Sequence, residues 1–197
     1  MPTAPSFAAE QAARLERLRT ELARALRQAG PVTLELGCGH GHFLSQYAPA
    51  HPDETCIGVD LKPTRIAKAT NKAEIAEAEN TAYLWADVRD VLAVWPKTIP
   101  LHRVFVLFPD PWPKARHTKH RMLQPELLRS LAALAQPTAR LFFRTDDFAL
   151  MAWTRAQGPG SGWHEANGEP WPFEVKTVFE GYATRFQSLV LAPEQID

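Results

Sequence analysis

The stretch Leu34-Glu35-Leu36-Gly37-Cys38-Gly39-His40-Gly41 decides the fold of this chain. It leaves an apolar run at residues 32–36 that predicts a strand, and it enters a helical pattern over residues 40–47. Glycines at such a strand-to-helix turn permit a tight bend and let a ligand lie against the backbone. The stretch therefore predicts an α/β domain with a ligand site at its first turn.

Strand and helix patterns alternate along most of the chain. Amphipathic or apolar helical spacing predicts helices at residues 7–29, 40–47, 64–79, 88–94, 125–135 and 148–156. Apolar runs predict strands at residues 32–36, 55–59, 82–85, 101–108 and 139–143. This alternation predicts a parallel sheet covered on both faces. Residues 158–172 are predicted as a loop, and residues 174–179 and 185–192 as antiparallel strands at the end of the sheet.

Composition limits the possible classes of protein. The 197 residues suffice for one domain, and 22 basic residues balance 22 acidic ones, so any affinity for nucleic acid must come from local clusters. Cys38 and Cys56 cannot form a disulfide framework and fit a reducing compartment. No secretory signal or membrane-spanning run is evident. We expect a cytoplasmic protein with an N-terminal helix at residues 1–30 and a single domain at residues 31–197.

Two acids near the glycine turn predict its ligand. Asp60 ends the second predicted strand, where an acid accepts hydrogen bonds from ribose hydroxyls. Glu35 lies inside the first strand and suits a cationic ligand, although an edge-strand charge without a ligand is the alternative. The third glycine of a dinucleotide-binding turn would fall at His42. This pattern favours S-adenosylmethionine over a nicotinamide cofactor.

Asp87 follows the third predicted strand, and two roles for it stay open. Its carboxylate would accept from an adenine amino group while Trp85 or Val88 packs against the ring. Alternatively, it caps the helix that begins beside it, because Asp is a good N-cap residue.

The loop Phe108-Pro109-Asp110-Pro111-Trp112-Pro113-Lys114 is followed at once by Ala115-Arg116-His117-Thr118-Lys119-His120-Arg121. A residue before proline is biased to extended backbone, which we expect for Phe108, Asp110 and Trp112. A stiff loop would fix a carboxylate beside cations that bind phosphates. Trp112 either stacks on a base or anchors the loop. The pair of segments predicts an enzyme acting on a nucleic-acid base.

A metal site is not predicted. Cys38, His40 and His42 have a tempting spacing, but they lie in the ligand-binding turn and no second pair of ligands follows.

With the glycine turn, Asp60, Asp87 and the proline loop in this order, the chain resembles bacterial tRNA (guanine-N7)-methyltransferases over residues 32–192. The most specific part is residues 108–121, which is similar to that family's Pro-Asp-Pro-Trp and Lys-x-Arg-His-x-Lys segments. Asp60 stands where many relatives carry Glu, and His120 interrupts the usual basic pair. The resemblance implies a class I methyltransferase (Rossmann-like) fold: a mostly parallel seven-stranded sheet with an antiparallel C-terminal strand and helices on both faces.

The resemblance also implies a cofactor, a partner and roles for residues. S-adenosyl-L-methionine would donate a methyl group to N7 of a guanine in the variable loop of tRNA. The cofactor site would hold Glu35, Gly37, Gly39, Asp60, Asp87 and Asp110, with Asp110 at the reacting centre. Substrate contacts would come from Lys114, Asp146, Thr177 and Glu180, and RNA contacts from Arg116, His117, Lys119, His120 and Arg121. Thr184 to Gln187 is a second candidate for the C-terminal motif, although it ends in an amide. We expect a monomer or homodimer without an obligate protein partner.

The chemistry of guanine suggests what Asp110 and Asp146 do. N7 carries a free lone pair, so no base is needed to create the nucleophile. Guanine offers N1–H and the 2-amino group as adjacent donors, and we expect the two acids to select and orient the base without abstracting a proton. Alternative functions are a noncatalytic RNA-binding protein that retains a methyltransferase fold, and a nicotinamide dehydrogenase, which His42 disfavours.

Overall fold

The structure is a computed structural model that describes residues 7–28, 30–175 and 185–194. The helices are α1 (Phe7–Ala25), α2 (Leu44–Ala50), α3 (Pro63–Ile75), α4 (Val88–Ala93), α5 (Pro125–Ala132) and α6 (Phe148–Gln157). The strands are β1 (Val32–Leu36), β2 (Thr55–Asp60), β3 (Thr81–Trp85), β4 (Leu101–Leu107), β5 (Ala135–Thr145), β6 (Trp163–Glu165) and β7 (Gln187–Pro193). A short 3₁₀ helix covers Ala115–His120.

The strands form one sheet in the order β3-β2-β1-β4-β5-β7-β6. The pairs from β3 to β5 are parallel, whereas β7 is antiparallel to both β5 and β6. This arrangement confirms the predicted mostly parallel seven-stranded sheet with an antiparallel C-terminal strand. The chain order reverses direction between β1 and β4, where adjacent crossovers leave a crevice at the carboxyl ends of the strands.

Both faces of the sheet are buried. Val104 and Val106 of β4 join one apolar cluster, and Phe105 between them joins the other, because successive side chains of a strand point to opposite faces. The first cluster contains side chains of α1, α4, α5 and α6, while the second contains Tyr47 of α2 and Ala73 of α3. Since β1 lies between these layers, even its polar side chains are buried.

Some predicted boundaries are wrong. Residues 40–43 are not helical, and α2 begins at Leu44, because the three closely spaced glycines prolong the turn. The predicted loop at residues 158–172 contains β6. Glu174 and Val175 do not form a strand, and the remaining residues of the strand predicted at residues 174–179 lie outside the described residues. The pairing partner of β7 at the sheet edge is therefore β6, whose three residues are too short to produce a periodic signal.

Helix α1 packs onto the rest of the chain through Leu18 and Leu22, which are buried in the first apolar cluster and adjoin α4 and β3. Across residues 7–28, 30–175 and 185–194, every helix falls short of the length or the apolar character needed to cross a bilayer.

Candidate active site

A cavity of about 450 Å³ opens at the carboxyl ends of β1, β2 and β4. It lies at the crevice where crossovers on either side of β1 diverge, which is the usual ligand position in open α/β sheets. The structure brings these sequence-predicted residues together in its lining: Glu35, Gly37, Gly39, Asp60, Asp87, Asp110 and His120.

The glycine turn forms one wall of the cavity. Gly37 and Gly39 have φ values of 73° and 54°, which glycine adopts without the steric cost of a side chain. The Gly37 backbone N–H donates to Val59 O at 2.8 Å and so ties the turn to β2. A Cβ atom added to Gly39 would meet no atom within 4 Å, so this part of the backbone borders open space.

Glu35 projects from the centre of the sheet rather than from an edge, because β1 is paired on both sides. Its side chain is buried, and Oε2 has no hydrogen-bond partner among the described residues. Burial, and then the nearby Asp60 carboxylate, raise the pKa of Glu35 to about 8, with the Leu44 backbone N–H partly opposing them. A buried polar atom without a partner calls for an explanation, and a cationic ligand in the cavity would supply one.

Asp60 is 6% exposed and is held by backbone amides at the end of β2. Oδ2 accepts from Gly39 N at 3.1 Å, and Oδ1 accepts from Lys62 N at 2.8 Å. Arg65 lies 3.4 Å from Oδ2. The carboxylate therefore links the glycine turn to the start of α3 and retains acceptor capacity toward the cavity.

Asp87 has the capping role, and because it also lies at the cavity, its contact with an adenine amino group stays a prediction. Its side chain caps α4 by accepting from Arg89 N at 2.8 Å, and it also lines the cavity. Val88 lines the cavity beside it. Trp85 is not in that lining; its indole Nε1–H donates to Leu61 O at 3.1 Å.

The proline loop carries Asp110 to the cavity, but its backbone differs from the prediction. Phe108 and Trp112 have φ values of 48° and 44°, in the left-handed region, so the expected extended conformation is wrong for both. Each such residue costs roughly 1–3 kcal/mol and persists where surrounding contacts hold it. One of those contacts is the Phe108 N–H, which donates to Arg144 O at 2.8 Å.

Arg121 holds the other end of this loop. It is 6% exposed, and Nε donates to Pro111 O at 3.1 Å, with a longer contact of 3.5 Å from the guanidinium to Trp112 O. Its guanidinium also lies 5.0 Å from the centre of the Trp153 ring. The expectation that Arg121 presents its charge to RNA disagrees with this burial, because the group is already bonded to the loop.

The other members of the basic segment are more accessible. Lys114, Arg116, Lys119 and His120 are exposed, and His117 is half-buried. The Trp112 ring lies 5.8 Å from the His117 ring and 5.0 Å from the His120 ring, and the indole stays 37% exposed. The segment therefore places a cationic and aromatic surface beside the cavity.

Asp146 is exposed just beyond β5. A backbone hydrogen bond joins Phe108, just after β4, to Arg144 of β5. Asp110 and Asp146 each come two residues after one of these bonded residues, so both acids lie at the carboxyl ends of the paired strands. Thr177 and Glu180 lie outside the described residues, as does Thr184, while Gln187 begins β7.

The sequence did not lead us to expect that Arg144 is buried and forms an ion pair. It is 3% exposed and bonds both oxygens of Glu174 at 2.9 and 3.0 Å. Its guanidinium lies 3.9 Å from the centre of the Trp171 ring and 4.6 Å from that of Phe186. An arginine directly after Phe142-Phe143, where a predicted buried strand ends, was the available signal, since buried charges are paired.

No group of acids, histidines and cysteines suited to a metal occurs among the described residues. Cys38 is buried in the cavity wall, and burial raises the pKa of its thiol. His40 and His42 also line the cavity, and desolvation lowers the pKa of each.

Comparison with known sequences links this geometry to one family. A family described as putative methyltransferase matches residues 29–169. A tRNA (guanine-N(7)-)-methyltransferase of Prochlorococcus marinus is 32% identical over 158 residues, covering 73% of this chain and 67% of the relative. Proteins of the same name from a Synechococcus species and Caulobacter vibrioides are 34% and 38% identical, covering 77% and 64% of this chain and 68% and 56% of the relatives. The chain thus spans between about half and about two thirds of the length of these curated relatives.

Solved structures show the same fold at lower identity. The antibiotic-resistance methyltransferase Kmr aligns with a TM-score of 0.60 at 20% identity, covering 91% of this chain and 94% of that one. A 16S rRNA (adenine(1408)-N(1))-methyltransferase from Catenulisporales acidiphilia, solved with cosubstrate SAM, aligns with a TM-score of 0.60 at 18% identity, covering 91% and 93%. These likenesses identify the architecture as that of class I methyltransferases.

Proposed function

The chain belongs to the family of bacterial tRNA (guanine-N(7)-)-methyltransferases, and we propose that it transfers a methyl group from S-adenosyl-L-methionine to N7 of a guanine in tRNA. One observation carries the proposal within the structure. The glycine turn, the acids that end β2 and begin α4, buried Glu35 and the proline-loop Asp110 all line one cavity.

The residues present fit S-adenosylmethionine. The buried Oε2 of Glu35, which has no partner in the described part of the chain, suits the ligand's ammonium group, and Asp60 suits the ribose hydroxyls. Asp87 and Val88 would hold the adenine ring. The open space at Gly39 lets the ligand approach the backbone. When bound, this cofactor supplies a methyl carbon activated by attachment to a positively charged sulfur.

The protein's contribution is alignment and electrostatics. The N7 lone pair forms the new bond to the methyl carbon while the carbon–sulfur bond breaks with its electron pair on sulfur, and no proton leaves the base. Holding the reacting atoms in line can account for roughly 7–11 kcal/mol of a barrier. The methylated purine is cationic, so carboxylates near it stabilise the charge that develops.

Asp110 and Asp146 would select guanine. Both acids stand at the same edge of β4 and β5, and each follows the bonded pair Phe108 and Arg144 by two residues. A carboxylate there accepts from N1–H and the 2-amino group together, whereas adenine offers no such pair of adjacent donors. Thr177 and Glu180 would complete the substrate contacts.

The basic segment would bind tRNA. Lys114, Arg116 and Lys119 expose their charges beside the cavity, and phosphate contacts of this kind supply most sequence-independent affinity. We propose that Trp112 anchors the proline loop between His117 and His120, and that the methylated guanine lies in the variable loop. We further propose a cytoplasmic enzyme whose residues 31–197 form one domain, acting as a monomer or homodimer.

The test is direct. The chain is incubated with methyl-labelled cofactor and unmodified tRNA, and the labelled nucleotide is mapped after digestion. We expect 7-methylguanosine at a single position. Binding of tRNA without methyl incorporation would instead identify a noncatalytic RNA-binding protein, and label on another base would overturn the assignment of the substrate atom.

A further inference from the structure

We propose that the basic side of α3, together with the preceding Lys62, is a second phosphate-binding surface for the tRNA, across the cavity from residues 114–121. The surface consists of Lys62, Arg65, Lys68 and Lys72 and is called the α3 basic face. The inference rests on the proposed function because it names how the same substrate is held. It assigns RNA contacts to four residues that lie outside the family motifs and that have no part in the proposed chemistry of the cavity.

The three lysines of this face have no acidic partner among the described residues, whereas Arg65 is paired with Asp60 at 3.4 Å. Residues 61–73 contain four cationic side chains and no acid, in a chain whose net charge is zero. Lys62 and Lys68 are exposed, Arg65 and Lys72 are half-buried, and no carboxylate of the described residues forms an ion pair with any of the three lysines. A solvated helix face usually carries both signs, because opposite charges at i,i+3 and i,i+4 stabilise it.

Helix α1 provides the contrast within the same molecule. Its arginines are also numerous, but three of them are engaged by acids: Arg14 with Asp90 at 3.0 Å, Arg17 with Glu21 at 3.6 Å, and Arg19 with Glu16. The positive charge of α1 is therefore largely neutralised by neighbouring acids, whereas the charges of Lys68 and Lys72 on α3 are available to a ligand.

The α3 basic face is continuous with the cavity. Lys62 and Arg65, which follow β2, and His120, which follows β4, all line the cavity. Because β2 and β4 flank β1 in the sheet, the two groups approach the cavity from different sides. Lys72 Nζ lies 2.7 Å from His42 Nδ1. Besides desolvation, the charges of Lys68, Arg65 and Lys72 lower the pKa of His40, which shows that these cations surround the glycine turn. A nucleotide entering the cavity would have cationic surface on both sides.

The geometry of the face fits a polyanion. Arg65, Lys68 and Lys72 recur at intervals of three and four residues, so they share one side of the helix. At 1.5 Å per residue they span roughly 10 Å along its axis. A single small anion cannot contact a row of that length, whereas an RNA backbone presents successive phosphates along it. Lys68 and Lys72 lie outside the cavity lining, which holds four acids, so we expect the phosphates to follow these two lysines rather than to enter the cavity.

The test uses Lys68→Gln/Lys72→Gln, which spares Arg65 and Lys62 because both line the cofactor cavity. Affinity for unmodified tRNA is measured by fluorescence anisotropy across roughly 50–200 mM salt. We expect weaker binding and a salt-dependence slope smaller by roughly one unit for each phosphate that the protein no longer neutralises. The exposed single variant Lys68→Glu should change the slope in the same direction, which guards against a folding defect at half-buried Lys72.

The matched control is Arg17→Gln/Arg19→Gln, which removes the same number of charges from the neutralised face of α1. It should leave the slope at the wild-type value. S-adenosylhomocysteine affinity, measured by calorimetry, should be unchanged in the α3 variants. A parallel loss of affinity for that ligand would overturn the inference by assigning the face to the cofactor site.

If the α3 variants keep the wild-type salt-dependence slope, the inference is also overturned. The α3 basic face would then be a solvated surface or a contact for an acidic protein. The two proposals fail separately. If the wild-type chain methylates tRNA while the α3 variants keep its slope, only this inference falls. If the wild-type chain binds S-adenosylhomocysteine but methylates no tRNA, the proposed function falls.

Discussion

Glu35 places a carboxyl group in the middle of a buried sheet, where a charge is costly. Its unpartnered Oε2 and its pKa near 8 have the same cause, which is burial beside Asp60. In the folded, ligand-free protein the group keeps its proton at neutral pH, and a cationic ligand would favour the charged form. Its position is unfavourable for stability and useful for binding.

Glu35→Gln should therefore flatten the pH dependence of stability. The folded pKa is raised from 4.5 to about 8, so the folded state holds a proton that the unfolded state loses above about pH 4.5. Stability present below that pH is lost as the pH rises toward 8. Thermal unfolding from pH 5 to 8.5 should show the wild type falling below the variant as pH increases. The exposed Glu74→Gln is the control, and parallel profiles for Glu35→Gln and wild type would contradict the account.

Asp110 has no catalytic proton to move in this mechanism, so its substitution tests positioning. Asp110→Asn replaces a carboxylate, proposed to accept from two guanine donors, with an amide in which one of the two acceptor oxygens becomes a donor group. We expect kcat to fall roughly 10²–10³-fold, the range for removing one preorganised polar group that stabilises a transition state. S-adenosylhomocysteine affinity should change far less.

Asp53→Asn is a suitable control for Asp110→Asn, because Asp53 is exposed and precedes β2 at the far end of that strand. Equal losses of turnover and cofactor affinity in Asp110→Asn would place Asp110 in the cofactor site alone.

At the scale of elements, the proline loop is held in a strained shape by its neighbours. Phe108 and Trp112 both have left-handed backbone, and Arg121 binds the carbonyl between them from behind. The loop delivers Asp110 only while those contacts hold. We therefore propose that Arg121 is a positioning residue that acts through Asp110.

Arg121→Lys should separate turnover from binding. A lysine keeps the charge but cannot reproduce the planar group that bonds the Pro111 carbonyl and lies over Trp153. A displacement of Asp110 by about 1 Å can cost roughly a hundredfold in rate. We expect kcat to fall toward that value with the KM for tRNA little changed. Arg129→Lys on the surface of α5 should leave kcat unchanged, and a rise in KM alone would indicate an RNA contact instead.

The elements that the sequence predicted well are those with a strong periodic signal. Residues 32–36 and 101–108 are apolar runs, and both became strands almost at the predicted bounds. Strand β6 was predicted as part of a loop, and the reason is physical. Its three residues are too few for a periodic pattern, and they form a strand because they pair with β7. The left-handed backbone of Phe108 and Trp112 was not predictable either, because local preference before proline opposes it and tertiary contacts override that preference.

The site was predictable only in part. Acids at strand ends were found because parallel strands bring their carboxyl ends to one edge, whatever the spacing in sequence. The burial of Arg121 was not predicted, because every side chain of a basic segment is expected to be exposed. Arg121 follows the 3₁₀ helix directly, and its side chain is buried. Sequence patterns identify which groups are present, and packing decides which of them keep a free charge.

The candidate active site and a buried polar network lie at opposite ends of the parallel strands. The cavity occupies the carboxyl ends of the parallel strands. At the amino ends, Glu54 accepts from Thr33 at 2.6 Å and from Tyr47 at 2.9 Å, and it pairs with Arg103. This network joins β1, α2 and β4 to the residue that precedes β2, and it contains no residue of the cavity lining. Substitutions there should alter stability without altering ligand affinity.

Glu54→Gln tests that separation. Breaking the pair leaves Arg103, 24% exposed, without its counter-charge, and we expect a cost of about 3 kcal/mol, the lower end of the range for a buried pair. For a chain of this size the melting temperature should fall by roughly 6–12 °C. Glu126→Gln, which removes the solvent-exposed partner of Arg129, should shift it far less. Below its melting temperature, Glu54→Gln should bind S-adenosylhomocysteine as tightly as wild type, and a weakened affinity with an unchanged melting temperature would show that the two ends of the strands are coupled.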